Sequence, residues 1–95
     1  MPKGLMDFLG YVIYFWINEG TPTEPIHVHV AKGKPTSGAT KIWITKTGVM
    51  LDHNDSKIPR KDLAKLLSFI NDNRNTLIAK WAMRFEQVKF KRDDA

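Results

Sequence analysis

The apolar residues of this 95-residue chain change their spacing once, near the middle, and that change constrains the fold more than any motif does. Up to about residue 55 they come in short runs rich in β-branched and aromatic side chains, separated by polar turns. Beyond it they recur three and four positions apart. The first spacing is that of strands, the second that of helices. A chain with strands first and helices second folds as α+β, with an antiparallel sheet covered by helices on one face.

The first run, Leu9 to Ile17, ends at a turn signal, Asn18-Glu19-Gly20, and reads as a strand that is apolar on both sides. Such a strand is either central or covered by a partner. Thr21 to Pro25 holds two prolines, which remove ladder donors, and reads as a loop. Ile26 to Lys32 alternates, with Ile26, Val28 and Val30 on one face and His27 and His29 on the other. A turn through residues 33–38 leads to Thr40–Thr45, where Ile42 and Ile44 oppose Lys41, Trp43 and Thr45. A further turn leads to a short strand or extension at Val49–Leu51. Short polar connections favour an antiparallel meander of three to four strands.

In the second half a helix is expected from Ser56 or Lys57, with Pro59 in its first turn, where the missing N–H costs nothing. Leu63, Leu66, Leu67 and Ile70 line one face; Leu77, Ile78, Trp81, Phe85 and Val88 repeat the pattern. Between them lies Asn71-Asp72-Asn73-Arg74-Asn75. A continuous helix of about 30 residues would be about 45 Å long and overhang so small a sheet. The stripe keeps its register across this polar island, but the weak helix formers and Asp72 as a candidate N-cap favour a break or kink. The expected layout is one domain over 1–95: sheet 8–55, helical part 56–90 made of two helices or one long kinked helix, and a charged tail 91–95 that frays from Lys89 on.

Several functional classes drop out. With no cysteine there is no disulfide scaffold, Cys zinc finger or thiol nucleophile. No phosphate-cradling glycine loop, Gly-x-Ser-x-Gly or His-Glu-x-x-His occurs, which removes nucleotide-dependent enzymes, serine hydrolases and zincins. The longest apolar run falls far short of the roughly 20 residues a membrane helix needs. Asp7, Gly10 and the lack of an Ala-x-Ala argue against a signal peptide, so a cytoplasmic location without membrane association is expected. The net charge of +5 suits a phosphate backbone, though it also serves solubility alone.

His27 and His29, two apart on a strand, are the leading catalytic candidates: a pair of imidazoles can act as base and acid on an RNA phosphodiester. Arg74 is the candidate for stabilising the phosphorane charge. Lys32, Lys34 and Lys41, expected on the histidine side, and Trp43 as a stacking platform are the candidate nucleic-acid-binding residues. The same histidines with Glu24, or with Asp52 and His53, have the donor types of a zinc site, but the spacing names no complete ligand set and no cofactor is assigned. The bland alternative, polar side chains on a solvated or partner-covered strand, stays open.

Pro25-Ile-His-Val-His-Val30, together with Asn71-Asp-Asn-Arg74 and Leu77-Ile-Ala-Lys-Trp81, resembles a family of short bacterial proteins catalogued as a domain of unknown function, with a Pro-x-His-x-His-Val hallmark. The resemblance spans residues 8–85. Pro25, His27, His29 and Val30 match the hallmark, and Asn18, Arg74 and Trp81 its flanks; the Thr-Pro-Thr-Glu stretch before Pro25 and residues 86–95 depart from it. The resemblance implies a small stand-alone protein encoded beside another short gene, in a toxin–antitoxin-like pair. Its cognate protein is one expected partner; the basic His/Lys surface adds RNA or DNA, and the two-faced first strand a second copy of the chain. For a protein partner the first strand is the expected docking surface, by strand pairing.

Overall fold

A computed structural model describes residues 4–15, 25–85 and 88–91. Five strands, β1 (Gly4–Phe8), β2 (Tyr11–Tyr14), β3 (His27–Lys32), β4 (Thr40–Ile44) and β5 (Val49–His53), are followed by helices α1 (Arg60–Asp72) and α2 (Arg74–Phe85). The strands pair in sequence order, every pair antiparallel. The α+β class and the meander are as the sequence indicates; the sheet has one strand more.

The extra strand is β1. Gly4 and Asp7 are poor strand formers, so its short run carries little local signal. Its partner supplies the stability: Phe8 lies opposite Tyr11 across the two-residue turn Leu9–Gly10. Leu9 and Gly10 both have positive φ, 55° and 82°, the backbone that matches the twist of a tight hairpin. Leu9 is thus a turn residue, nearly half exposed, and not the start of a strand. Pairing with β1 on one side and β3 on the other makes β2 interior. Its apolar faces reflect a central position, and its edges are unavailable to a docking partner.

The helices cover one face. Tyr11, Ile13 and Phe15 from β2 and just beyond it, Ile26 just before β3 with Val28 and Val30 on it, and Ile42 and Ile44 from β4 form the core with Ile58, Leu66, Ile70, Leu77 and Trp81. Phe8 stacks on Phe69 of α1 with centroids 4.2 Å apart. The connector into α1 is held by side-chain hydrogen bonds. Asn54 Oδ1 accepts from the Thr40 hydroxyl and the Ile58 N–H, while Ser56 Oγ accepts from Thr40 N–H and donates to the Val30 carbonyl. Lys57 takes a positive φ of 56°, incompatible with a helix, so α1 begins at Arg60 with Pro59 at its N-cap.

The polar island breaks the helix at Asn73 alone. Asn73 N–H reaches the carbonyls of Phe69 and Ile70, and Leu77 N–H reaches that of Asn73, so the helical ladder carries through the kink. Asp72 closes α1 and does not cap α2. Leu66, Ile70, Leu77 and Trp81 remain one buried stripe. At the far end α2 stops at Phe85, short of the expected 90; Val88 to Lys91 is non-helical, and the Lys89 carbonyl accepts from Ile26 N–H at 2.8 Å. This segment is tied to the sheet where a frayed tail was expected. Among the described residues no helix is long and apolar enough to cross a membrane.

A histidine and tryptophan site on the helix-free face

Alternation along β3 turns His27 and His29 away from Val28 and Val30, and strand register gives them their neighbours. His29 lies opposite Tyr14 on β2 and Lys41 on β4; Lys41 in turn lies opposite His53 on β5. His27 lies opposite Trp43. Tyr14, His29, Lys41 and His53 therefore form one row across four strands, with His27 and Trp43 beside it.

His27 is the more deeply set of the pair, 3% exposed. Its Nδ1 is 2.9 Å from the Pro25 carbonyl, which can only accept, so Nδ1 carries a proton. Three rings surround it edge-on: His29 at 5.2 Å, Trp43 at 5.5 Å and Trp81 of α2 at 5.5 Å. The contact with Trp81 joins the histidine strand to the helix core at the end of β3, beyond the point where β2 pairs with it. His29 is half-buried and stacks on Tyr14 at 5.8 Å.

Part of this face has its own small core. Val12, Tyr14, Ala31 and Ala39 are buried together, and the turn after β3 folds over them. Tyr14 fastens that turn twice: its hydroxyl donates to the Thr36 carbonyl at 2.5 Å and accepts from Thr36 N–H at 2.9 Å. Burial raises the pKa of Tyr14 above the ordinary phenol value, and the Thr36 hydrogen bond partly offsets it. On the helix side Tyr11 is raised as well, first by burial and then by its hydrogen bond to Asp62 at 3.0 Å.

Trp43 differs from the expected stacking platform, since it is 7% exposed and its ring is already occupied. The Lys41 ammonium lies 4.3 Å and the Lys91 ammonium 5.0 Å from its ring centroids. Cation–π contacts of this kind hold about 0.5–1 kcal/mol each at partly exposed sites. The indole N–H is buried without a hydrogen-bond partner. A buried donor left unsatisfied costs about 1–3 kcal/mol.

The other candidates scatter. Lys32 follows the parity of Val28 and Val30 and sits 5.9 Å over the Tyr11 ring, on the opposite face from Lys41. Lys34 is exposed in the turn after β3. Arg74 is engaged elsewhere: Nε donates to the Gly48 carbonyl at 3.0 Å and one terminal nitrogen to those of Thr45 and Lys46, at 2.5 and 2.6 Å. It clamps the β4–β5 turn, because a turn leaves carbonyls that strand pairing does not use. His53 pairs with Asp55 at 3.3 Å and Asp52 at 3.7 Å near the surface. Among the described residues no group of three or more His, Asp or Glu is placed to hold a metal ion. Glu24 and Asn18 lie outside the described residues.

Sequence reasoning missed Tyr14 and Trp81 as neighbours of the histidines, and Lys91 as a neighbour of Trp43. Tyr14 was traceable through strand register; Lys91 carries no local signal, since only the return of the chain to Ile26 brings it there.

No curated protein and no solved structure matches the chain. The model of one family, a domain of unknown function (DUF4160), matches residues 10–82, a span that takes in the histidine strand, Trp43 and Trp81. The chain belongs to the DUF4160 family.

Proposed function

We propose that this protein is the RNA-contacting component of a toxin–antitoxin-like pair and acts in the cytoplasm. The observation that carries the reading is the adjacency of His29 and Lys41 across β3 and β4, on the sheet face away from the helices. A strand face with an imidazole, an ammonium and a second ammonium from Lys91 beside one tryptophan has the charge and donor types that engage a phosphate backbone. In the cleaving form of this activity, His29 and His27 share the base and acid roles. One takes the 2′-hydroxyl proton, the other returns a proton to the departing 5′-oxygen, and Lys41 opposes the charge on phosphorus, the role first given to Arg74.

Induced expression in a bacterial host, wild type beside His27→Ala/His29→Ala, tests the cleaving form. Growth arrest with RNA loss, abolished in the double variant, is the expected result; unchanged growth and intact RNA rule it out. Binding is tested separately by fluorescence anisotropy with a labelled single-stranded RNA at two salt concentrations.

A second reading, a non-enzymatic module that takes a strand from a cognate protein, is favoured by β5. It is one of the two outer strands of the described sheet, and Leu51 on it is 38% exposed. Under this reading the double variant retains its protein partner in full.

A further inference from the structure

The outward side of the helical layer carries charge of nearly one sign. Across residues 57–84 the exposed charged side chains are Lys57, Arg60, Lys61, Lys65, Lys80 and Arg84, against Asp72 alone. Asp62, the other acid of the two helices, is half-buried and accepts from the Tyr11 hydroxyl. Among the described residues none of the six cations is in an ion pair. Arg84 lies 5.5 Å from the Phe85 ring, which orients it without neutralising it. Solvated helices are commonly supported by acids and bases four positions apart. Here Lys61 with Lys65, and Lys80 with Arg84, are like charges at that spacing, and they repel. Arg60 and Lys61 also stand in the first turn of α1, at the positive end of the helix dipole, where Pro59 supplies no side-chain cap. Each placement works against the isolated helix, and an extended anion along the outer side relieves all of them.

The neutral residues of this stripe say which anion. Between Lys65 and Lys80 it exposes Ser68, Asn71, Asn75 and Thr76, short polar side chains of the kind that bond phosphate and sugar oxygens. No aromatic side chain is exposed on it, so unpaired bases find nothing to stack on, the contact a single strand uses. Met83, 86% exposed, is its one exposed large hydrophobic, too little apolar surface for a lipid interface or a protein docking site. A duplex keeps its bases inside and presents phosphates outside, which matches a face of cations and short polar groups.

We propose that the outer side of α1 and α2 seats the phosphate backbone of double-stranded RNA. Lys57, Arg60, Lys61 and Lys65 hold it at one end, and Lys80 and Arg84 at the other. That the duplex is RNA rests on the RNA reading above; the surface is a second one, across the sheet from His27 and His29. Contacts to phosphate carry no base information, so the stripe grips a paired region of any sequence.

The test is fluorescence anisotropy with a labelled RNA duplex over a range of sodium chloride concentrations. The full-length wild type is compared with Arg60→Gln/Lys61→Gln/Lys65→Gln and, separately, with Lys80→Gln/Arg84→Gln. Glutamine is a good helix former and the replaced side chains are exposed, so Tm should hold. Should the triple variant fail to fold, the double variant decides. Affinity about tenfold weaker is expected in the triple variant, with the slope of log affinity against log salt smaller by about 2–3, at about 0.9 for each duplex phosphate contact. The double variant should lose about 2 from the slope. Duplex binding indifferent to both variants overturns the stripe, and so does a wild type that takes single-stranded RNA but no duplex; the RNA reading survives both results. Duplex binding that the helix variants weaken, in a protein that takes no single strand, keeps the stripe and removes the histidine face from RNA contact. Tighter binding of a DNA duplex of the same length, or binding of phosphatidylserine vesicles in place of RNA, overturns the proposal.

Discussion

The two faces of the sheet are made from the same strands, one residue out of step, and they solve opposite problems. Under the helices, Val28, Val30, Ile42 and Ile44 meet Leu66, Ile70 and Leu77, all at 0% exposure. Close-packed aliphatic groups need only volume and shape. On the other face, His27, His29, Lys41 and Trp43 are held by ring contacts, one carbonyl and two ammoniums. Burying such groups stabilises little, and an indole N–H is left unpaired. The first face accounts for stability. The second gives up some of it to keep donors and charges in place.

The sharpest way to break this comparison is to open a cavity in the aliphatic face. Ile70→Ala should destabilise the protein by about 2–5 kcal/mol in urea unfolding, because rigid neighbours only partly fill the space. A loss below about 1 kcal/mol would mean that the helices pack loosely and the contrast between faces is false. Arg74→Met should come next, at about 1.5–3 kcal/mol, since three carbonyls of the β4–β5 turn lose a charged donor. Its RNA affinity should equal that of the wild type. A large affinity loss at unchanged stability would return Arg74 to the site.

On the other face the sign of the contrast reverses. Lys41→Met should alter stability by less than about 1 kcal/mol, the scale of its cation–π contact. It should also reduce the slope of log affinity against log salt by about 0.7, one phosphate contact on a single strand. An unchanged slope would remove Lys41 from the interface.

The smallest effect is one of pH. Tyr11 and Tyr14 both have folded-state values raised above the unfolded one, so each stays protonated longer in the native protein. Above the ordinary tyrosine value near 10 the unfolded chain binds fewer protons than the folded one, and stability falls as pH rises. Below it these two groups contribute no slope. Tm measured from pH 8 to 11 should decline only at the alkaline end, and Tyr11→Phe should flatten part of that decline.

Much of the site was legible because it lies on strands. Once Ile26, Val28 and Val30 are assigned to the core, a period of two leaves His27 and His29 no other side, and the same holds for Lys41 and Trp43 against Ile42 and Ile44. Lys32 fails by the same rule: its parity is that of Val30, and the structure places it over Tyr11. Trp43 as an open platform fails for a different reason. Nothing in residues 40–45 reports that Lys91, some fifty positions later, covers the ring. Arg74 looked like a free cation because its acceptors are main-chain carbonyls of a turn, which no side-chain pattern displays.

Hydrophobic periodicity by itself determined the α+β class, the order of strands and helices, the faces of β3 and β4, and a weak point in the helical half near Asn73. These are consequences of local geometry, in which side-chain direction follows from backbone repeat. Tertiary structure alone decided the existence of β1, which draws its stability from pairing with β2, and the late start of α1, delayed by Asn54 and Ser56 bonding to Thr40. It alone also brought Trp81 to His27 and Lys91 to Trp43. Those depend on contacts between residues far apart in the chain, whose free energy exists only once the chain has closed on itself.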